Sequence, residues 1–284
     1  MATDERPSEG VRQVRFGMAE LTRDPRRRNG WLLTVGGVAQ SYVDTEDPLH
    51  LEFPYQRHTA VALHCVAGPR VPLTAVHIGG GACTFPRYLA ATRPGSAQVV
   101  VDADGELVDL VRAEFAVDEV PGLALRVGDG REYLHTRATA SADLVVLDAY
   151  ERSSCVGGTV TVEATRQVAR LLRPRGVALV NVIDVPGLSF ARRVAATMTS
   201  VFDTVVLLVL PGLLAGDSNA NVVLVGARTL PTEAIARLAG LTLPAATCLY
   251  GESLAGFHAS APPLTDDDPA DGPTSLRPRV GACG

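Results

Sequence analysis

Residues 73–91 carry the feature that most constrains this chain. An apolar run ends at Ile78, Gly79, Gly80 and Gly81 follow, and a helical pattern begins near Phe85 with Pro86 in its first turn. Proline is compatible with that place because the first helical N–H groups have no intrahelical partner. Glycines at a strand-to-helix turn let the backbone come close to a ligand, and a helix N-terminus favours polar or anionic groups. A dinucleotide fingerprint would want a further glycine near position 84, where Thr84 stands, so a plain tight turn also explains the run.

The periodicity downstream favours a binding role. A second apolar run, residues 97–101, ends on Asp102, about 20 residues after the glycines, where βαβ nucleotide folds hold a ribose. A third, residues 123–127, ends on Gly128, Asp129 and Gly130, and a fourth, residues 144–147, ends on Asp148. A lone acidic strand end is usually a solvated turn. Three in step with a glycine turn place polar groups along one edge of a parallel sheet, where doubly wound folds bind their ligands.

The remaining composition narrows the class. With 284 residues and 46% hydrophobic content the chain can bury a large core. Its net charge is −5 and its basic residues are all arginine, which rules out lysine-based covalent chemistry. No basic stripe with interleaved aromatics suggests nucleic acid. The polar, acidic start is unlike a signal peptide, and the longest apolar run, 205–215, is too short to span a membrane, so a soluble cytoplasmic protein is expected. Cys65, Cys83, Cys155, Cys248 and Cys283 show no zinc spacing, and no metal site is expected. His77 reads as a core residue, and Cys83 as a small side chain packed in the glycine turn rather than a nucleophile.

Read in order, residues 1–30 are polar and expected to be loosely ordered. Residues 32–40 read as a hairpin turning at Gly36 and Gly37, and residues 55–66 have helical spacing. Loop residues 68–72 suggest a boundary. The division is therefore an N-terminal extension with a small β-rich unit (1–68), a sheet-forming domain (69–260) and a disordered tail (261–284). Within the second part, helices are expected over 106–115, 162–172 and 188–202, and further strands over 177–182, 204–210 and 222–225. About ten non-helical residues separate the last two strands, which must then be antiparallel neighbours. Five parallel strands with a terminal antiparallel hairpin outline the seven-stranded, Rossmann-like α/β sheet of class I S-adenosylmethionine (SAM) dependent transferases.

Four segments give the chain a resemblance to the spermidine synthase (aminopropyltransferase) family over roughly residues 30–228. Residues 36–41, Gly-Gly-Val-Ala-Gln-Ser, look like that family's "DGVxQ" hairpin; residues 52–56, Glu-Phe-Pro-Tyr-Gln, look like its "DEFxYQE" segment. Residues 78–81 look like "IGGGDGG", and Asp129 and Asp148 fall in its "GDG" and "D-x-x-D-P" segments. The resemblance implies that Gln40 and Gln56 contact the nucleoside or its methionine-derived arm beside Gly79, Gly80 and Gly81. It implies that Asp102 takes the ribose, and that Asp129 with Gly130 takes the adenine. Asp148 becomes the carboxylate that orients the acceptor and receives its proton, with Tyr55 and Glu151 as further catalytic candidates. Residues 150–161 become the lid, and a homodimer through the N-terminal unit is implied.

The departures from the family pattern bear on the reaction. Ala82 stands where the family has the Asp that holds the ammonium of decarboxylated SAM, and Arg57 stands in place of a Glu. A charge pair at about 4 Å is worth roughly 4 kcal/mol at an effective dielectric near 20, and half of that is about a thirtyfold change in affinity. If Arg57 faces the site it would suit a donor carboxylate. The first expectation is thus a SAM-dependent alkyltransferase, preferably a methyltransferase yielding S-adenosylhomocysteine, acting on a small amine or other nucleophile. The alternatives are an aminopropyltransferase using decarboxylated SAM and yielding methylthioadenosine, and a nucleoside-binding protein without catalysis.

Overall fold

Long apolar runs without alternation need cover on both faces of a sheet, and that is the arrangement in the computed structural model, which describes residues 7–151, 154–216 and 220–273. The chain begins with β1 (Gly10–Val14), β2 (Gly17–Arg23), β3 (Gly30–Val35) and β4 (Val38–Asp44), then α1 (Pro54–Val66), β5 (Thr74–Ile78), α2 (Thr84–Thr92) and β6 (Ala97–Asp102). It continues with α3 (Gly105–Phe115), β7 (Leu123–Val127), α4 (Gly130–Thr136), β8 (Ala142–Leu147), a two-residue ribbon of β9 (Tyr150–Glu151) with β10 (Ser154–Cys155), and α5 (Val162–Leu171). The last part is β11 (Leu172–Asp184), α6 (Ser189–Thr199), β12 (Thr204–Val209), α7 (Pro211–Ala215), β13 (Ala220–Ala227), α8 (Thr232–Ala239), β14 (Thr247–Tyr250) and α9 (Gly251–His258).

The main sheet has the order β14-β12-β13-β11-β8-β5-β6-β7. β11, β8, β5, β6 and β7 run parallel, while β13 and β12 form the expected antiparallel pair. The sequence reading stopped at seven strands; β14 adds an eighth, antiparallel to β12. Side chains alternate between two cores. Val205, Leu207 and Val209 of β12 face one cluster with Phe190, Val194 and Met198 of α6. Val206 and Leu208 face the other with Leu63 of α1 and Ile235 of α8. Each such buried Leu or Val contributes about 1.5–3 kcal/mol.

Two segments expected to lack structure have it. Within residues 1–30, β1 and β2 pair as an antiparallel hairpin and join β3 and β4 in a separate sheet. The inner face of that sheet, including Val14, Leu21, Trp31 and Leu33, packs on Leu107, Val111 and Phe115 of α3. Polar composition hid the hairpin because only alternate positions are buried. Asp104 pins its turn: it caps α3 at the Leu107 N–H (2.9 Å) and accepts from the N–H groups of Arg15 (3.1 Å) and Phe16 (3.2 Å).

The second is residues 261–273, the described part of the expected disordered tail. Leu264 is fully buried, and its N–H donates to Thr197 Oγ1 (2.8 Å). Asp266 accepts from Thr161 (2.7 Å) and pairs with Arg131, Asp268 pairs with Arg193 (2.6 Å), and Asp271 accepts from the Gly157 N–H (2.9 Å). Specific acceptors for arginines and backbone N–H groups hold this stretch where apolar periodicity is absent. α1, grouped with the N-terminal unit in the sequence division, packs with the main sheet through Ala62 and Leu63.

Candidate active site

The parallel register builds the site. Ile78 of β5 lies level with Val101 of β6 and with Leu147 of β8, so Gly79, Asp102 and Asp148 emerge side by side at the carboxyl edge. Backbone bonds extend the ladder one step further, from Gly79 N–H to Val101 O (2.8 Å) and from Asp148 N–H to Ile78 O (2.9 Å). Gly79 has φ +81°, and a Cβ there would collide with the Asp148 carbonyl oxygen. Glycine is thus required for the turn to lie against Asp148.

Two cavities meet at this edge. The outer one is lined by Asp102, Asp129, Gly130, Phe16 and Arg15, with Val156 and Thr159 from the segment after β10. The inner one, of about 290 Å³, is lined by Tyr55, Gln56, Phe85, Asn181 and Ile183 among others. Gln40, Gly79, Gly80, Gly81, Asp148 and Tyr150 line both. Asp148 therefore sits at the junction of a nucleoside-sized outer space and an inner, largely apolar one.

The Asp148 carboxylate is held from two sides. Asn181 Nδ2 donates to Oδ1 (2.7 Å) and the Tyr55 hydroxyl donates to Oδ2 (3.1 Å). Asn221 Nδ2 in turn donates to Asn181 Oδ1 (3.1 Å). β11 pairs with β8 so that Val180 faces Leu147, which brings Asn181 beside Asp148. Burial raises the Asp148 carboxyl above its ordinary value, and the Asn181 and Tyr55 bonds counter it. Burial beside this carboxylate lifts the Tyr55 phenol well above its ordinary value, so Tyr55 stays a donor.

Asp102 is raised by burial and countered by backbone donors. Its Oδ2 accepts from Gly80 N–H (3.1 Å) and its Oδ1 from Asp104 N–H (3.0 Å), so it holds the glycine turn as well as lining the outer cavity. Asp129 caps α4 at the Glu132 N–H (2.8 Å) through Oδ1 and lines the same cavity. Glu151 lies on the lid ribbon; its side chain is outside the described residues.

Several expectations change. Ala82 is fully buried, its N–H bound to Ser41 Oγ (3.0 Å), and it packs with Cys83, Val100 and Leu107 rather than lining either cavity. Arg57 lines neither cavity; its guanidinium folds back to donate to Leu51 O (2.9 Å). The argument that Arg57 receives a donor carboxylate therefore falls. His77 is buried and bonded to Gln98 (3.1 Å), with burial lowering it to about 4, so it is the neutral core residue expected, although its edge lines the inner cavity. Burial pushes the Cys83 thiol up to about 12, which fits packing rather than nucleophilic chemistry. Among the described residues, no group of three His, Cys, Asp or Glu could hold a metal ion.

Sequence reasoning missed Asn181, Asn221, Arg15 and Phe16. Asn181 left a signal: it is a polar residue inside the apolar run 177–183 and is only 5% exposed. Arg15 and Phe16 left none, since their position depends on the Asp104 pin.

Nucleoside binding tests the outer cavity. Asp102→Ala should weaken methylthioadenosine binding by about 2–3 kcal/mol because it also frees the Gly80 turn, whereas Asp129→Ala should cost about 1 kcal/mol. Calorimetry on both variants checks this ranking; wild-type affinity in Asp102→Ala contradicts it.

Comparison with known proteins agrees with the motif resemblance. No family model matches the chain. The chain is 26% identical over 143 residues to a polyamine aminopropyltransferase of Chromobacterium violaceum, a match covering 50% of this chain and 53% of that protein, about half its length. A probable spermidine synthase from Corynebacterium glutamicum has 28% identity and TM-score 0.85, with 96% of this chain and 99% of that one covered. A spermidine synthase solved with the transition-state analogue AdoDATO has 15% identity and TM-score 0.59 over 78% of this chain and 73% of that one, a likeness of fold. The resemblance to spermidine synthases, drawn from four short segments, thus extends through the α/β sheet and its small N-terminal companion.

Proposed function

We propose that the protein is an aminopropyltransferase that moves the aminopropyl group of decarboxylated SAM to an amine. One observation carries the choice of donor: the junction presents the Asp148 carboxylate, while no described residue lining the inner cavity is cationic. The Gln56 Oε1, buried and without a partner, adds a neutral acceptor on the same side. Such surroundings favour an ammonium over the carboxylate that SAM itself would bring. A like-charge pair at about 4 Å costs roughly 4 kcal/mol at an effective dielectric near 20, and 1.4 kcal/mol already gives tenfold discrimination. Methyl transfer from SAM, the first expectation, loses its argument at Arg57 and keeps only the carboxylate missing at Ala82, and the named relatives fit the aminopropyl alternative better.

The donor is a sulfonium substrate that supplies an electrophilic carbon. Asp102, Asp129 and the glycine turn would hold its nucleoside, and Gln40 and Gln56 would lie along its arm. The amine nitrogen forms a bond to the methylene next to sulfur as the carbon–sulfur bond breaks, and sulfur keeps the electron pair. Asp148 orients the amine and takes the proton that its ammonium form must lose before the nitrogen lone pair can attack. The leaving thioether needs no acid. Positioning by the fixed Asn181–Asp148–Tyr55 set can supply roughly 7–11 kcal/mol of the barrier reduction. This ordered network also argues against a protein that binds nucleoside without catalysis.

Dissociation constants for decarboxylated SAM and SAM test the proposal. The decarboxylated form should bind at least tenfold more tightly, and Arg57→Glu should leave the ratio unchanged; tighter binding of SAM contradicts it. The pH profile gives a second check. Asp148 acts as a carboxylate, so the rate is present above its pKa and lost as pH falls through it. Because burial raises that pKa, the acid limb should lie above the ordinary carboxylate range. Tyr55→Phe removes a donor to the charged form and should move the limb to still higher pH. An unmoved or downward-moving limb contradicts the assignment.

A further inference from the structure

We infer that the acceptor is a monoamine with an apolar body, rather than a diamine or longer polyamine. The inference rests on the aminopropyltransferase reading and names the acceptor class for that site. Among the described residues, Asp148 is the only carboxylate lining the inner cavity, and it lies at the junction where the new bond forms. Away from that junction the wall is Val38, Phe53, Phe85, Pro86, Val146 and Ile183.

The remaining polar groups of the wall carry no formal negative charge, and several are engaged elsewhere. Thr84 Oγ1 donates to Tyr42 O (2.8 Å), Asn221 Nδ2 to Asn181 (3.1 Å), and buried His77 is bonded to Gln98 (3.1 Å). The unpaired Gln56 oxygen is a single dipole, and the donor's own ammonium has first claim on it. A diamine at neutral pH would add a further charge to a space where the donor's ammonium already meets the single carboxylate. Burying an unpaired ammonium is strongly unfavourable, whereas methylenes or an aryl ring gain from the same wall. Phe53, stacked on Tyr55 with centroids 6.1 Å apart, offers an aromatic face to such a body.

Asp148 takes the proton of the ammonium form, the nitrogen–carbon bond forms, and the carbon–sulfur bond breaks with its electron pair on sulfur. One amino group suffices for every one of these events.

A matched pair of ligands tests the inference on the wild-type protein. Hexylamine and 1,6-diaminohexane are titrated at neutral pH into protein saturated with methylthioadenosine. The monoamine should bind at least tenfold more tightly. Equal affinity, or tighter binding of the diamine, overturns the inference. Turnover of the same pair with decarboxylated SAM, read as methylthioadenosine release, separates this result from the underlying reading. Tight monoamine binding without release would support the single-charge pocket while counting against aminopropyl transfer.

Discussion

Much of the site depends on one buried carboxyl group, held by two donors, where two cavities join. Asp148 leaves a parallel strand at its carboxyl end, against a glycine turn that admits no side chain. Burial alone would push it toward the neutral form, and the Asn181 and Tyr55 donors oppose that. A carboxylate so held is a directed acceptor, poised for an ammonium or for the proton of a reacting amine. Its meaning comes from its neighbours: Asp102 and Asp129 of the outer cavity on one side, and on the other a wall with no described cation.

The surrounding structure serves to fix that junction. Asp104 ties the first hairpin to α3, which brings Arg15 and Phe16 to the outer cavity. Asp102 anchors Gly80 from the neighbouring strand. On the far side, Asp266 and Asp271 of the C-terminal stretch hold Arg131 of α4 and Gly157 and Thr161 of the segment that follows β10. Carboxylates at strand and loop ends thus act mostly as acceptors for backbone N–H groups and arginines. Asp148 differs in having its oxygens fixed by an amide and a phenol, at a point where both cavities reach it.

The legible part of the sequence was what local periodicity encodes. Apolar runs of four to six residues bounded by glycine and aspartate marked the parallel strands, and the glycine turn fixed where their chemistry would gather. β14 escaped notice because Thr247–Tyr250 is short and only half-buried. The first hairpin and the C-terminal stretch escaped because long-range polar bonds hold much of them, and no local pattern reports such bonds. Ala82 and Arg57 show the opposite failure. Their identities were plain, but their directions were not: the preference for SAM leaned first on the carboxylate missing at Ala82, a residue that faces the core, and second on a direction for Arg57 that the fold does not provide.

The central claim is that the outer cavity takes the nucleoside and delivers its sulfur to Asp148, leaving the inner cavity for the donor's aminopropyl arm and the acceptor. A crystal structure of the complex with methylthioadenosine tests it most directly. The account predicts the ribose at Asp102, the adenine beside Asp129, and the methylthio group at the junction of Gly79, Gln40 and Asp148. A nucleoside lodged in the inner cavity, or one whose sulfur points away from Asp148, would contradict it.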